Sequence, residues 1–333
     1  MIKGFKLPLL SFLTLGIVGL AIQFGLNEYV QIIVLFMLVN TILAMSLNLV
    51  NGFTGQFSLG HAGFMAIGAY ASAWASLNLG VPEGLLGLPI FVLYGILGGL
   101  VAAAAGWLVG LPSLKLRGDY LAIVTLGFGE IIRVALLNMD FLGGARGLHQ
   151  LPTFPDLQIY GSANNFLPSF AISLFWSLTC FFFIWRLTRG SYGRAFLSVR
   201  EDEIAAEAMG INTTVVKVRA FVLSSFFAGV AGALFAHITA YISPASFTFM
   251  RSVDAVIMVV LGGMGSITGS IAAAAFLTIV PELLRPLQDL TGVDLRMVIY
   301  SLCLILVMIL RPRGLFGELE MPDVWRRYVH KNS

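Results

Sequence analysis

The residues with the greatest chemical potential in this sequence lie in three short stretches. Residues 51–61 (NGFTGQFSLGH) combine amide, hydroxyl and imidazole side chains with glycines. Half of residues 261–266 (LGGMGS) are glycine, and residues 200–210 (REDEIAAEAMG) are rich in acidic and small side chains. These groups exchange hydrogen bonds, but the sequence contains no H-E-x-x-H or G-x-S-x-G pattern that would mark a reactive centre. It also lacks the G-x-x-x-x-G-K-S/T loop that binds nucleotide phosphates. We therefore predict a chain that is not an enzyme, with no catalytic residues, no metal site and no cofactor of its own.

The polar groups of the two glycine-rich stretches, together with Thr125 and Glu130, are candidates for lining a passage for a solute. Such groups also hydrogen-bond between membrane helices at about 0.6 kcal/mol each, so a structural role is the alternative for any one of them. Glu130 is the best single candidate, because a charge at the centre of a bilayer costs about 2.5–3.5 kcal/mol. His61 has no further ligand at metal-binding spacing. The full set is Asn51, Gln56, Ser58, His61, Thr125, Glu130, Gly262, Gly263, Gly265 and Ser266.

The acidic stretch predicts one short amphipathic helix over residues 200–209 that ends at a Gly C-cap. Its apolar residues form one stripe and its acidic residues lie mainly on the opposite side. Helices that lie on a membrane surface usually carry Lys and Arg on the polar face, so the acidic face favours docking to a protein partner. A loop helix with no docking role is the alternative. The candidate docking residues are Arg200, Glu201, Asp202, Glu203, Ile204, Ala205, Glu207, Ala208, Met209 and Gly210.

Composition places these stretches in a membrane protein. Hydrophobic residues make up 58% of the 333 residues and charged residues 11%, whereas soluble domains carry about 25% charged residues. Because backbone in lipid must satisfy its own hydrogen bonds, the apolar runs predict helices. The expected fold is an all-α, polytopic integral membrane bundle of about 8–10 transmembrane segments with glycine-rich broken or re-entrant segments, in one domain (1–333). The predicted spans are 8–26, 30–50, 57–78, 88–111, 119–138, 166–186, 217–241, 252–283 and 295–310.

The basic residues orient this bundle. If the N-terminus is cytoplasmic, the inside segments hold 15 of the 20 Lys and Arg residues, as the positive-inside rule requires. A cytoplasmic C-terminus then requires segment 252–283 to enter and return, with its break near 262–266. The same orientation makes 187–216 the longest inside loop, and this loop contains the acidic stretch.

Several stretches resemble one family of transport proteins. EIAAEAMG (203–210) is similar to the EAA…G coupling loop of ABC importer permeases. NGFTGQFSLGHAGF (51–64), RGDYLAIVTLGFGEIIR (117–133), LGGMGSITG (261–269) and RPRGLFG (311–317) resemble the LivM-type permease subunits of branched-chain amino acid ABC transporters. The resemblance runs from about residue 35 to residue 317.

The resemblance implies a permease in the cell inner membrane that forms half of the translocation pathway for Leu, Ile and Val. It implies a second homologous permease subunit, two cytoplasmic ATPase subunits that bind the ATP, and a periplasmic substrate-binding protein; membrane lipid surrounds the complex and no nucleic acid is involved. Residues 200–210 would form the ATPase-coupling helix. Related permeases carry urea, amides or other small amino acids, so these solutes stay open. A secondary transporter is a further alternative, but it needs ionisable groups deep in the membrane, and here they lie mostly at the ends of the spans.

Overall fold

A computed structural model describes residues 27–82, 84, 87–113, 119–154, 157–159, 162–164 and 166–283, and single positions between 301 and 317. The predicted span 8–26, and most of the predicted span 295–310, lie outside the described residues.

The described residues form ten α-helices and one short β-hairpin. The helices are α1 (Glu28–Asn48), α2 (His61–Leu79), α3 (Gly87–Ser113), α4 (Asp119–Leu137), α5 (Phe166–Arg189), α6 (Ser191–Glu201), α7 (Glu203–Ala208), α8 (Thr213–Thr239), α9 (Phe249–Gly262) and α10 (Ile267–Leu283). The hairpin pairs β1 (Leu157–Ile159) with β2 (Ser162–Asn164) in antiparallel register. Single turns of 3-10 helix lie at Asp140–Leu142, Gly144–Arg146 and Pro244–Phe247.

Six of the described helical segments are long and apolar enough to cross a membrane, which confirms an all-α polytopic membrane protein. They are Glu28–Phe53, Gly87–Ser113, Tyr120–Leu137, Phe166–Arg189, Thr213–Thr239 and Pro244–Gly262. Each predicted span between residues 30 and 241 contains one helix whose ends lie within four residues of the predicted bounds, and the predicted span 252–283 contains two helices, α9 and α10. Helix α10 is apolar but shorter than the six, and the total number of spans stays a prediction.

The centre of the bundle is made by α2, α3 and α8, which approach one another through glycine. A Cβ added to Gly68 of α2 would lie 2.2 Å from the carbonyl oxygen of Gly229 on α8, and one added to Gly98 of α3 would lie 2.7 Å from the carbonyl oxygen of Gly68. Gly232 meets the backbone of Met65 in the same way. Membrane helices gain no hydrophobic driving force from burying apolar groups, so this close backbone contact supplies their packing energy.

The remaining helices surround this centre in two different ways. Helix α1 is largely buried and packs against α5, α8, α9 and α10. Helix α4 is the most exposed of the six long segments, with 22% of its most apolar window buried. Large apolar side chains, among them Ile123 and Ile131, lie uncovered on it. The described bundle therefore leaves the apolar face of α4 uncovered, and we call this surface the open side of the bundle.

Helices α9 and α10 are separated by a glycine-rich break at residues 263–266. Gly263 and Gly265 adopt φ angles of 109° and 90°, which L side chains rarely adopt. The 14 residues of α9 alone reach about 21 Å, and the segment attains spanning length only together with the 3-10 turn Pro244–Phe247 that precedes it. The chain therefore reverses between two short apolar helices at the place where the sequence is richest in glycine. That this pair enters and leaves the membrane on one side stays a prediction.

We expect Gly68→Ala to destabilise the bundle, because the new methyl group would overlap the Gly229 backbone. Overpacking of this kind costs about 1–3 kcal/mol. The matched control is Gly127→Ala on α4, where an added Cβ meets nothing within 4 Å. Thermal unfolding of the purified protein in detergent checks this pair: a lower Tm is expected for the first variant alone, and equal Tm values would contradict the packing argument.

Candidate functional site

The two glycine-rich breaks of the sequence meet at one end of the bundle. A Cβ added to Gly52 would lie 2.4 Å from the backbone nitrogen of Gly265, so the backbones of the two breaks are in contact. Asn48, at the end of α1, hydrogen-bonds to both sides of the second break: its Nδ2 donates to the carbonyl oxygen of Ser266 at 2.9 Å, and its Oδ1 accepts from the Gly265 N–H at 2.9 Å. We call this contact between residues 48–56 and 262–266 the junction.

The first break begins as a widened turn of α1. Residues Leu49–Phe53 form a π-helical turn, and the Thr54 hydroxyl donates to the carbonyl oxygen of Val50 at 2.7 Å. The chain then reverses at Gly55, whose φ is 68°. The side-chain oxygen of Asn51 accepts from the Ser58 N–H at 3.2 Å and holds the irregular segment that follows Gly55. Local hydrogen bonds thus keep an irregular backbone in place inside an apolar bundle, as backbone at membrane depth requires.

The chain that leaves the first break is fixed by three other helices. The Leu59 N–H donates to Thr125 Oγ1 on α4 at 3.0 Å, and the Ala62 N–H donates to Ser252 Oγ on α9 at 2.9 Å. The imidazole Nε2 of His61 lies 2.8 Å from the hydroxyl oxygen of Ser46 on α1. Through these contacts Thr125 and His61 join helices. This is the alternative to lining a solute passage that the sequence left open for them.

Gln56 differs from the other candidates. Its side chain is 6% exposed, yet neither of its amide atoms has a hydrogen-bond partner among the described residues. Asn51 Nδ2 is likewise unpartnered there. A buried polar atom without a partner costs about 1–3 kcal/mol, and such atoms in a native structure call for an explanation. Among the candidates in the first break, Gln56 is therefore the one whose burial is not accounted for by hydrogen bonds to other described residues.

Glu130 forms an ion pair on the open side of the bundle. Its Oε2 lies 2.7 Å from Nε of Arg133, one turn away on α4, and both side chains stay partly exposed. Glu130 borders a small depression together with Phe247, Phe249 and Ser252. The pairing lowers the cost of placing a carboxylate in an apolar segment. Glu130 therefore lies close to the start of α2 and α9, but not in the junction.

A second polar chain, absent from the sequence prediction, ties α9 and α10 to α1. Arg251 Nη2 donates to Asn40 Oδ1 at 2.9 Å, and Asn40 Nδ2 donates to Thr278 Oγ1 at 2.8 Å. Asn40 and Asn48 lie eight residues apart in an otherwise apolar span, about two helical turns. Their placement in a lipid-length segment is the signal that could have identified them.

The expectation of one helix over residues 200–209 is corrected by the structure. Helix α6 ends at Glu201, and Asp202 caps a separate helix α7: its Oδ1 accepts from the N–H groups of Ile204 at 2.9 Å and Ala205 at 3.0 Å. An Asp at the N-cap position satisfies two donors that the first turn leaves free, so it starts a new helix. Arg200 and Glu201 thus belong to α6, and Arg200 lies beside the junction.

The acidic residues of α7 also have a different environment from the expected one. The Glu203 carboxylate pairs with the ammonium group of Lys217, and Glu207 Oε1 accepts from the hydroxyl of Thr213 at 2.7 Å. Both carboxylates therefore turn towards the first turns of α8. The apolar stripe faces outwards: Ile204 is 67% and Met209 83% exposed. The exposed surface of α7 therefore includes these apolar side chains as well as Glu207.

We expect Asn48→Ala to destabilise the protein, because it leaves the Gly265 N–H and the Ser266 carbonyl without their partner. Two buried unpaired groups cost about 1–3 kcal/mol each. The control is Asn78→Ala, which removes one exposed local hydrogen bond to the carbonyl oxygen of Trp74. Thermal unfolding in detergent should show a lower Tm for the first variant only; a similar Tm for both would mean that Asn48 does not secure the junction.

Comparison with known proteins identifies the family. The family model described as "Branched-chain amino acid transport system / permease component" matches residues 29–308. The high-affinity branched-chain amino acid transport system permease protein LivM is 42% identical in Salmonella typhimurium and 41% identical in Escherichia coli K12. Each match covers 82% of this chain and 67% of the relative. The permease protein LivH of Escherichia coli K12 is 28% identical over 85% of this chain and 92% of its own length.

No solved structure matches the chain. The family model covers α1 to α10, including the junction and α7. The resemblance seen in the sequence is therefore confirmed, and the chain belongs to the family of branched-chain amino acid transport permease components, which are transport proteins and not enzymes.

Proposed function

We propose that this chain is the membrane-spanning half of an ABC importer for branched-chain amino acids. In this proposal it lies in the inner membrane with both termini in the cytoplasm and pairs with a second, homologous permease. Two cytoplasmic ATPase subunits supply the energy and a periplasmic binding protein delivers the solute. The observation that carries the proposal is the exposed apolar face of α7 in a chain whose family transports solutes.

The α7 face has the properties of a protein-docking surface. A groove of about 570 Å³ lies beside it, between α6 and α7, and Met209 and Ala205 line both the groove and the exposed face. Arg194, Glu201 and Asp202 border the same groove with charge. An apolar patch with a polar rim is typical of a site that another protein covers. Because Glu203 is paired with Lys217, docking would use the apolar residues of α7 more than its acidic ones, of which Glu207 stays exposed.

The same acidic residues connect the docking surface to the bundle. Lys217, the partner of Glu203, is buried in the second turn of α8. Helix α8 continues to Thr239 and forms part of the glycine-packed centre. A displacement of α7 is thereby transmitted to a helix that crosses the whole bundle. This arrangement supports a role for residues 202–210 in coupling an external motor to the membrane part.

Helix α4 is the surface that we assign to the second permease and the solute pathway. Its ion pair of Glu130 and Arg133 is about one third exposed. A partly open ion pair that faces lipid is costly, whereas one that faces protein or a water-filled passage is not. Gly127, with open space around it, lies one turn before the pair. These features support an α4 face that a second subunit covers.

The choice of solute rests on the relatives, whose names specify branched-chain amino acids. We expect vesicles that contain the complete complex to accumulate leucine, isoleucine and valine only when ATP and the binding protein are both present. Uptake by this chain alone, driven by an ion gradient without ATP, would support a secondary transporter instead. Uptake of urea or short amides in preference to leucine would contradict the proposed solute.

The docking surface is tested by making it polar. We expect the double variant Ile204→Ser, Met209→Ser to weaken ATPase association at least about tenfold, since exposed apolar anchors contribute about 1–2 kcal/mol each on binding. The matched control Ile204→Val, Met209→Leu keeps the surface apolar and should bind as the unaltered chain does. Binding is measured with detergent-purified permease and ATPase subunits. Equal affinity of the two double variants would exclude α7 as the docking surface.

A further inference from the structure

Arg200 touches both glycine-rich breaks with one side chain. A Cβ added to Gly55 would lie 3.1 Å from Cγ of Arg200 and 3.4 Å from its Cα, so the start of the side chain packs against the first break. A Cβ added to Gly265 would lie 2.9 Å from Nη1 of Arg200, so the guanidinium lies against the second break. Both glycines have positive φ angles, 68° and 90°, and mark the tightest points of the two reversals.

We propose that Arg200 is the positioning residue that transmits movement of α7 to the junction. The inference rests on the proposed function, in which ATPase subunits act on α7. Arg200 lies two residues before Asp202, the cap of α7, and in the last turn of α6. A movement of α7 therefore reaches the two breaks through a single side chain, in addition to the connection through Lys217 and α8.

Helix α6 is built to carry Arg200 as a rigid support. Phe196 and Val199 are buried, and Gly193 packs so closely that an added Cβ would lie 1.7 Å from the carbonyl oxygen of Thr188 at the end of α5. Helix α6 cannot slide along its own axis without breaking these contacts, so in this proposal it responds to α7 by tilting. The guanidinium, which is planar and charged at any physiological pH, suits contact with the peptide groups of a tight turn.

The first break has unused hydrogen-bonding capacity next to this contact. Gln56 follows Gly55 directly, and its two amide atoms, with Asn51 Nδ2, lack a partner among the described residues. A turn that leaves three buried polar atoms unpaired loses less on rearrangement than a fully bonded one. The first break therefore loses few hydrogen bonds if it adopts a second arrangement when Arg200 moves.

The second break also contacts residues 315 and 317. The Leu315 N–H donates to the carbonyl oxygen of Leu261 at 2.8 Å, and a Cβ added to Gly263 would lie 2.4 Å from the carbonyl oxygen of Gly317. With Leu261 and Gly263 held in this way, the break cannot move away as a whole, and the contact of Arg200 at Gly265 acts next to the close approach of Gly265 to Gly52. A push by Arg200 therefore changes the contact between the two breaks.

The test compares Arg200→Ala with Arg200→Lys in the complete complex in vesicles, and measures leucine uptake and ATP hydrolysis on the same preparation. We expect the Ala variant to assemble and to hydrolyse ATP as the unaltered complex does, while leucine transported per ATP falls roughly tenfold, within the range of typical coupling between sites. Lysine keeps charge and reach and should restore part of this ratio. The control is Arg186→Ala, an exposed cation at the end of α5, which should leave the ratio unchanged.

Four results would overturn the proposal. A proportional fall of uptake and ATP hydrolysis, or loss of assembly in the Ala variant, would make Arg200 a structural residue. Uptake and ATP hydrolysis that both stay at the level of the unaltered complex would mean that α7 acts only through α8. A fall of the same size in the Arg186 control would assign the effect to general loss of positive charge. Absence of ATP-dependent leucine uptake in the unaltered complex is a separate outcome, since it removes the proposed function itself and with it the role assigned to Arg200.

Discussion

Two irregular backbone segments can lie side by side in an apolar bundle only when their free peptide groups find partners. Where these peptide groups are buried, water does not reach them, and each buried group left without a partner costs about 1–3 kcal/mol. Asn48 meets this requirement by satisfying one donor and one acceptor of the second break with a single side chain. Glycine at positions 52 and 265 lets the backbones approach closely enough for this pair of bonds. The positions of α1, α9 and α10 follow from that contact.

The bundle contains two kinds of helix contact with different mechanical consequences. The contacts among α2, α3 and α8 are backbone against backbone through Gly68, Gly98 and Gly229, and they have no room to adjust. The contacts of α1 with α9 and α10 combine apolar packing around Ala44 and Leu47 with side-chain hydrogen bonds through Asn40 and Asn48, which can break and re-form. Close packing transmits displacement, whereas a small set of hydrogen bonds can change between discrete arrangements. The centre is therefore the stiffer part.

The sequence was most informative where a local rule decides the outcome. Long apolar runs predict the helices, and the run Gly262-Gly263-Met264-Gly265 predicts the break, because glycine permits φ angles that other residues avoid. The helix start at Asp202 was also accessible, since Asp is a preferred N-cap. It was missed because Glu201 and Glu203 are both good helix formers, so propensity alone continues the helix through the cap.

The contacts that define the candidate site depend on pairs far apart in the chain. Asn48 and Gly265 are 217 residues apart, and no periodicity relates them. The orientation of α7 was equally hidden, because an amphipathic pattern shows that two faces differ but not which face the bundle covers. Lys217 lies on a different helix from Glu203, so the pattern of α7 alone does not show that Lys217 claims the carboxylate. Family resemblance located both segments but not these contacts.

These contacts together determine where a force on α7 would act in the proposed complex. One route passes through Glu203 and Lys217 into α8, whose inner face is locked by glycine packing. The other passes through α6 and Arg200 into the junction, where the side-chain amides of Gln56 and Asn51 keep atoms without a hydrogen-bond partner in the described part of the chain. When one displacement is applied to a stiff and a soft element joined at the same point, the soft element takes up most of it. In the proposed complex, movement of α7 would therefore change the contact between the two breaks at the junction. The α2–α3–α8 centre would keep its packing.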